Sequence, residues 1–377
     1  MATITIIQLL LVVAVVVYLT VNILHLVKVP SVAGPLDSSP FISVCVPARN
    51  EERDIQACLR SLLEQNYTQF EVIAVDDNST DATGVIIASL ALEYPRLTHV
   101  KGAPLPADWF GKPHALYQAF QKAKGEYLLF TDADPVFHPP ALTTAMYCMQ
   151  TRNLDVLTLM PGTQFGSFWE RAVQPVFFGF IGALTRFKKV NDKKCPDAMG
   201  VGAFIMIKRD VFERIGGYAQ VKQEIVEDIA LVRCAKKAGA SLMVADGKSV
   251  FSIRMYHSLK EIWEGWRKNM FVAMKQSIIR TVYYVAVILG FVVTPYLVLF
   301  YNAVSGGLFQ ILALAAFLLT LITGTTLCGE LRLEKKYVFL FPLGALVMSA
   351  VMLNSMIQIL FKGRTEWRGR FYRPSVR

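Results

Sequence analysis

The chain has 377 residues, of which 54% are apolar and only 18% charged, and its mean hydropathy is +0.40. That balance argues against a water-soluble protein and for membrane-inserted segments, while 17 Pro and 24 Gly are too few for a collagen-like or disordered chain. The net charge of +10 gathers at residues 188–194, 254–280 and 362–377, beside hydrophobic runs; this suits anionic lipid headgroups and excludes nucleic acid, which needs a basic stripe on a folded domain.

Residues 4–27 contain no Asp, Glu, Lys or Arg. At about 1.5 Å per residue a helix of that length crosses ~30 Å of hydrocarbon. The start Met1-Ala2-Thr3 has no basic residue, and Lys28 follows the apolar run. We therefore read residues 1–30 as a retained transmembrane anchor, not a cleaved leader, with its C-terminal side in the cytoplasm. A Ser-, Gly- and Pro-containing linker spans 31–40.

From 41 to 253 short β-type runs alternate with amphipathic helices. Strands are expected at 41–46, 70–75, 97–100 and 127–131. Ile55, Leu59, Leu62 and Leu63 recur at helical spacing. Further helices are expected at 82–92, with Asp81 as cap, and at 113–123. The alternation implies an α/β domain of parallel strands with helical crossovers. Residues 168–184 are apolar, but Glu170 and Arg171 leave too short a run to span, so a buried or interfacial helix is expected. Residues 254–280 read as an interfacial or lid segment, 281–361 as a hydrophobic region of two or three spans, and 362–377 as a basic tail. One anchor plus three spans would put a cytoplasmic domain and the Arg-rich tail on opposite sides; one re-entrant stretch would reconcile this with the positive-inside rule, an external tail being the alternative.

The six cysteines show no metal or disulfide spacing, the nearest pair being Cys45 and Cys58, so buried free thiols in a reducing compartment are expected. The five histidines show no ligand spacing either. His114 alone, beside Lys112, stands near the acidic motifs, and a packed or solvated side chain is the simpler reading.

Acidic residues cluster where ligands bind in open α/β sheets, at the carboxyl ends of strands. Asp76 and Asp77 follow one strand, Asp132 and Asp134 follow another, and Glu227-Asp228 opens a helix expected over 229–238. A single such acid is ordinarily a turn or helix cap. Three clusters without a basic partner nearby in sequence repel one another unless a cation lies between them, and Asp-x-Asp suits a hard divalent ion that bridges phosphates.

The run SVCVPARNE at 43–51, VDDNSTD at 75–81, Gly111-Lys112, TDAD at 131–134 and Glu227-Asp228 together resemble the family 2 glycosyltransferases of GT-A fold. The resemblance covers residues 41–275 in the family's motif order. DWFGKPHA at 108–115, Arg254-Met255-Tyr256, Glu264-Gly265-Trp266 and Glu366-Trp367-Arg368-Gly369-Arg370 are similar to membrane glycosyltransferases of carotenoid and hopanoid pathways. The last of these also resembles the tail of ceramide glucosyltransferases.

The resemblance implies a Rossmann-like nucleotide-diphospho-sugar transferase domain and a role for each residue. Asp77 would accept a hydrogen bond from the nucleotide base, in a pocket lined by Pro47, Ala48 and Glu51. Asp132 would hold the donor ribose or sugar, and Asp134 would ligate Mg²⁺ or Mn²⁺ at the diphosphate. Lys112 would add positive charge there, or is an ordinary solvated helix-start lysine. Asp228, with Glu227 beside it, is the candidate general base. The QxxRW motif of processive members is replaced by Trp263-Glu264-Gly265-Trp266-Arg267-Lys268-Asn269. Trp266, Arg267 and Lys268 are then lid or phosphate contacts, or belong to an interfacial helix with snorkelling cations. Arg368, Arg370 and Arg373 carry the same choice between donor diphosphate and lipid phosphate.

The expectation is a multi-pass membrane enzyme with a cytoplasmic catalytic domain. It would move a hexose, with inversion, from a UDP-linked nucleotide-diphosphate sugar to a lipid such as a carotenoid, hopanoid or diacylglycerol. Alternatives are transfer to polyprenyl phosphate, or a non-catalytic lipid-binding protein with a degenerate transferase domain.

Overall fold

A computed structural model describes residues 2–30, 34, 36–302, 307–367 and 370–372. Arg368 and Arg373 fall outside them. The chain forms two compact units, one of residues 26–164 and 187–255, the other of 1–25, 165–186 and 256–377.

The first unit is built on the strands β1 (Val27–Lys28), β2 (Ile42–Ala48), β3 (Phe70–Asp76), β4 (Leu97–Lys101), β5 (Tyr127–Phe130), β6 (Val136–Phe137), β7 (Val156–Met160), β8 (Gly162–Thr163), β9 (Ile205–Lys208), β10 (Leu242–Asp246) and β11 (Phe251–Ile253). Eight of them make one sheet in the order β1-β10-β7-β9-β5-β2-β3-β4, and β6, β11 and β8 make a small second sheet. Strand side chains alternate between faces. Thus Val44, Val46, Val72, Ala74 and Leu129 enter one apolar cluster, and Cys45, Ile73, Val75, Leu128 and Phe130 enter the other. Both faces are covered, which is why the strands read as continuous apolar runs.

The expectation of parallel strands needs one correction. β9 pairs antiparallel with both β5 and β7. β9 begins at Ile205, opposite Phe130 at the carboxyl end of β5, and a strand entered from that end must run back across the sheet. The helices Ile55–Leu63, Thr83–Glu93, Gly111–Lys122 and Glu227–Lys237 fall where the periodicity places them, within a residue or two. Asp81, expected as a cap, accepts the Thr83 N–H at 3.0 Å. All six cysteines are free thiols.

The second unit is helical. Ala2–Ile23, Ile278–Asn302, Gly307–Glu330 and Lys335–Lys362 are each long and apolar enough to cross a membrane. Leu10, Leu297, Phe300, Ile311 and Phe361 face outward, while polar groups pair inside. Gln8 Nε2 donates to the Gly290 carbonyl at 2.8 Å, within the π-helical turn Leu289–Val293. Asn302 Nδ2 donates to Thr5 Oγ1 at 3.3 Å. An apolar outside with such polar pairs inside is the pattern that lipid imposes. The helix Phe168–Leu184 belongs to this unit and starts in a reciprocal capping box between Ser167 and the fully buried Glu170.

Candidate active site

β2, β3 and β5 are mutually parallel, so their carboxyl ends share one edge, and the first unit's expected site residues follow from it. Asp77 is 3% exposed. Its N–H donates to the Ala48 carbonyl at 2.8 Å, and its own carbonyl accepts from the Arg49 guanidinium at 2.7 Å. The β2–β3 register sets Pro47 opposite Val75 and Ala48 opposite Asp76. The β5 ladder already ends at Cys45, where a proline without an N–H is tolerated. Glu51 N–H donates to Thr83 Oγ1 at 2.7 Å, which fixes the turn after β2 against the start of the helix Thr83–Glu93.

Lys112, in the first turn of Gly111–Lys122, carries the central contact. Its Nζ lies 2.6 Å from Asp132 Oδ1 and 2.7 Å from Glu227 Oε1. Burial opposes its charge, but Asp132, Glu227 and Asp228 together hold its pKa well above the ordinary lysine range. It is therefore not a solvated helix-start lysine. The acidic clusters have no basic partner nearby in sequence, and the fold supplies one from a distance. His114, two residues on, is packed, edge-on to Trp109 at 5.5 Å between ring centroids.

Asp228 begins the helix Glu227–Lys237. Its Oδ2 accepts from Gly202 N–H at 2.9 Å and its Oδ1 from Ile229 N–H at 2.7 Å. Burial first, and then the Glu227 carboxylate, push its pKa up to about 7, against the pull of Lys112. Sequence reasoning missed Gly202. A Cβ there would lie 2.8 Å from Lys112 Nζ, 3.3 Å from Asp228 Oδ2 and 3.4 Å from Asp132 Oδ2. Those three head groups thus converge on one glycine. The signal was Gly200-Val201-Gly202 directly before a strand, a mark of close backbone approach.

Asp134 differs from its neighbours. Burial raises its pKa well above the carboxylate range, and Asp132, Glu51 and Asp54 raise it further. Among the described residues no group of three or more His, Cys, Asp or Glu is arranged to hold a metal alone. An oxygen donor ringed by like charges nevertheless fits a hard cation that takes one or two carboxylates and completes its shell with substrate phosphate and water.

Trp266, Arg267 and Lys268 lie on Leu259–Ala273 in the helical unit. Trp266 is 5% exposed and stacks on Phe177 at 4.6 Å and 7°. The Arg267 carbonyl accepts from Ser355 Oγ at 2.6 Å.

Residues 43–216 match the model of glycosyl transferase family 2. The chain is 25% identical over 232 residues to a 4,4'-diaponeurosporenoate glycosyltransferase of Staphylococcus aureus strain USA300 and 24% over 233 residues to that of strain MRSA252. Each match covers 61% of this chain and 60% of the relative, so it spans about three fifths of those proteins. A mannosyltransferase from Pyrobaculum calidifontis, solved with GDP-Man and Mn²⁺, superposes with a TM-score of 0.50 at 19% identity, covering 95% of this chain and 99% of that one. At that identity the likeness is one of fold.

Proposed function

Residues 43–216 belong to glycosyl transferase family 2, and from that premise we propose that the chain is an inverting, divalent-metal-dependent glycosyltransferase that moves a hexose from a nucleotide-diphosphate sugar to a membrane lipid. The observation that carries the reading is the Asp228 carboxylate, oriented by two backbone N–H donors beside the Lys112 ammonium that bridges Asp132 and Glu227.

Asp77, with Pro47, Ala48 and Glu51, binds the nucleotide base, and Asp132 holds the donor ribose or sugar. Asp134 would hold Mg²⁺ or Mn²⁺, which when bound would neutralise the charge that develops on the leaving diphosphate. Asp228 takes the acceptor's proton as its oxygen bonds to the anomeric carbon and the bond to diphosphate breaks, so one displacement inverts that centre. The Mn²⁺ and GDP-Man of the Pyrobaculum protein support a metal-linked nucleotide sugar. The four apolar helices support a multi-pass membrane location, and Lys28, just after the first of them, supports a cytoplasmic catalytic unit. The staphylococcal relatives support a carotenoid acceptor. Assignment of Trp266, Arg267 and Lys268 to a lid is tested by the donor KM of an Arg267→Ala/Lys268→Ala variant.

The relatives' name, ending in -oate, also supports a carboxylate acceptor. A carboxylate is already ionised and needs no base, as is the phosphate of a polyprenyl phosphate. The test is to assay purified protein with Mn²⁺ and UDP-glucose or GDP-mannose against a hydroxylated carotenoid, a carotenoid acid, diacylglycerol and polyprenyl phosphate, alongside Asp228→Asn. Loss of transfer in the variant identifies a hydroxyl acceptor, and retained transfer an anionic one. Absence of metal-linked nucleotide binding would favour a non-catalytic lipid-binding protein.

A further inference from the structure

Lys236 is a buried lysine far from the acidic motifs. It is 7% exposed, near the end of the helix that begins at Glu227. Its ammonium donates to three carbonyls: Lys189 at 3.2 Å, Val190 at 2.5 Å and Asp197 at 2.6 Å. Every ammonium hydrogen is thereby used. Burying an ammonium is costly, and an apolar side chain would fill the same space without that cost. The three carbonyls explain why a lysine stands there. They belong to the start of the segment that runs from the short helix Phe187–Val190 to β9.

The rest of that segment is pinned as tightly. Asn191 acts as a strand surrogate: its Nδ2 donates to the Val244 carbonyl at 3.0 Å, and its Oδ1 accepts the Val244 N–H at 2.7 Å. Val201 N–H donates to Thr158 Oγ1 at 2.9 Å, and Gly202 N–H to Asp228 Oδ2 at 2.9 Å. One helix therefore holds both ends of the segment. Its first turn receives Gly202 on Asp228, and about 12 Å along its axis its last turn grips the root of the segment through Lys236.

We propose that Lys236 is a positioning residue: by tying residues 189–197 to the Asp228 helix, it fixes the Gly202 N–H against the Asp228 carboxylate. Lys236 touches neither donor nor acceptor. Asn191 is its partner in the same task, at an independent anchor. The inference rests on the reading of Asp228 as general base.

The groups that face Asp228 are Glu227 from its own helix, Lys112 from the helix Gly111–Lys122, Asp132 from the turn after β5, and Tyr218 from the turn Gly217–Val221. None of these bonds to Lys236. What changes is the Gly202 donor, which favours the ionised carboxylate. Its withdrawal misorients the base and makes it harder to ionise.

The test uses the full chain in lipid nanodiscs with Mn²⁺ and UDP-glucose or GDP-mannose, reading nucleoside diphosphate release over pH. Lys236→Met and Asn191→Ala are each expected to lower kcat by on the order of tenfold to a hundredfold. Both should move the acid limb of the profile upward and leave the donor KM unchanged. Lys236→Arg, which can still donate to carbonyls, should recover part of both effects. A fall in kcat that only follows the folded fraction, with the acid limb unmoved in both variants, overturns the inference. Asp228→Asn is run in parallel. If it keeps the wild-type rate, the base reading fails and the inference with it. If it is inactive while Lys236→Met and Asn191→Ala keep the wild-type profile, the inference alone fails.

Discussion

Lys112 Nζ lies 2.7 Å from Glu227 Oε1 and so joins the first turns of two helices that are far apart in sequence. The same ammonium reaches Asp132 at 2.6 Å. The acidic edge of the sheet is thereby divided: Glu227 and Asp132 have a resident counter-ion, whereas the neighbours that act on Asp134 are carboxylates.

Removing that counter-ion should be felt in two ways. In Lys112→Met the buried Glu227 loses its partner, and breaking a buried pair destabilises strongly; thermal unfolding should fall by several degrees. The pull of Lys112 on Asp228 also disappears, so the acid limb of kcat/KM should move to higher pH. Lys112→Met/Glu227→Gln should regain most of the lost stability, because both ends of the pair are then neutral. An unchanged melting temperature in the single variant would refute the coupling.

Asp228 gives a pH dependence of definite sign. A base must be deprotonated to act, so with its pKa near 7 activity should be full above that value and decline as pH falls through it. Asp228→Asn should lower kcat by roughly 10²–10⁴-fold while nucleotide binding persists. Its folded pKa is raised above the ordinary carboxylate value, so ionisation opposes folding. Stability of the metal-free protein should therefore fall as pH rises from about 4 to 7, and the Asn variant should flatten that slope in a melting series.

Asp134 should reveal itself through metal. Mn²⁺ is expected to raise the melting temperature of the wild type in the presence of UDP or GDP by ligand linkage. Asp134→Asn should lose that gain, yet melt higher than the wild type without metal, since it removes a carboxylate repelled by Asp132, Glu51 and Asp54. Equal Mn²⁺-induced shifts in both proteins would exclude Asp134 as the ligand.

Gly202 should tolerate no side chain. Its φ is not in the left-handed region, so Gly202→Ala meets a contact problem and not a backbone one. A methyl 2.8 Å from Lys112 Nζ forces the ammonium off Asp132 or Glu227, at about 1–3 kcal/mol. The variant should fold with near-normal circular dichroism and lose activity by tenfold or more in the transfer assay.

Much of this was legible from the chain alone. β2, β3 and β5 with the helices between them follow from apolar periodicity, and Asp77, Asp132 and Asp134 were found because strand ends are where such sheets bind ligands. Asp228 was found from its place at a helix start, and the four long apolar helices from their lack of charge. These are local signals, carried within a turn or a strand. The sequence could not give Lys112 its partners, reverse β9, make Gly202 the point of convergence, or bury Lys236 under three carbonyls. Each of those joins residues brought together only by the order of strands in the sheet. Electrostatics and close packing act through distance in space, so which acids carry a counter-ion, and which one is left among carboxylates, was decided by the tertiary fold.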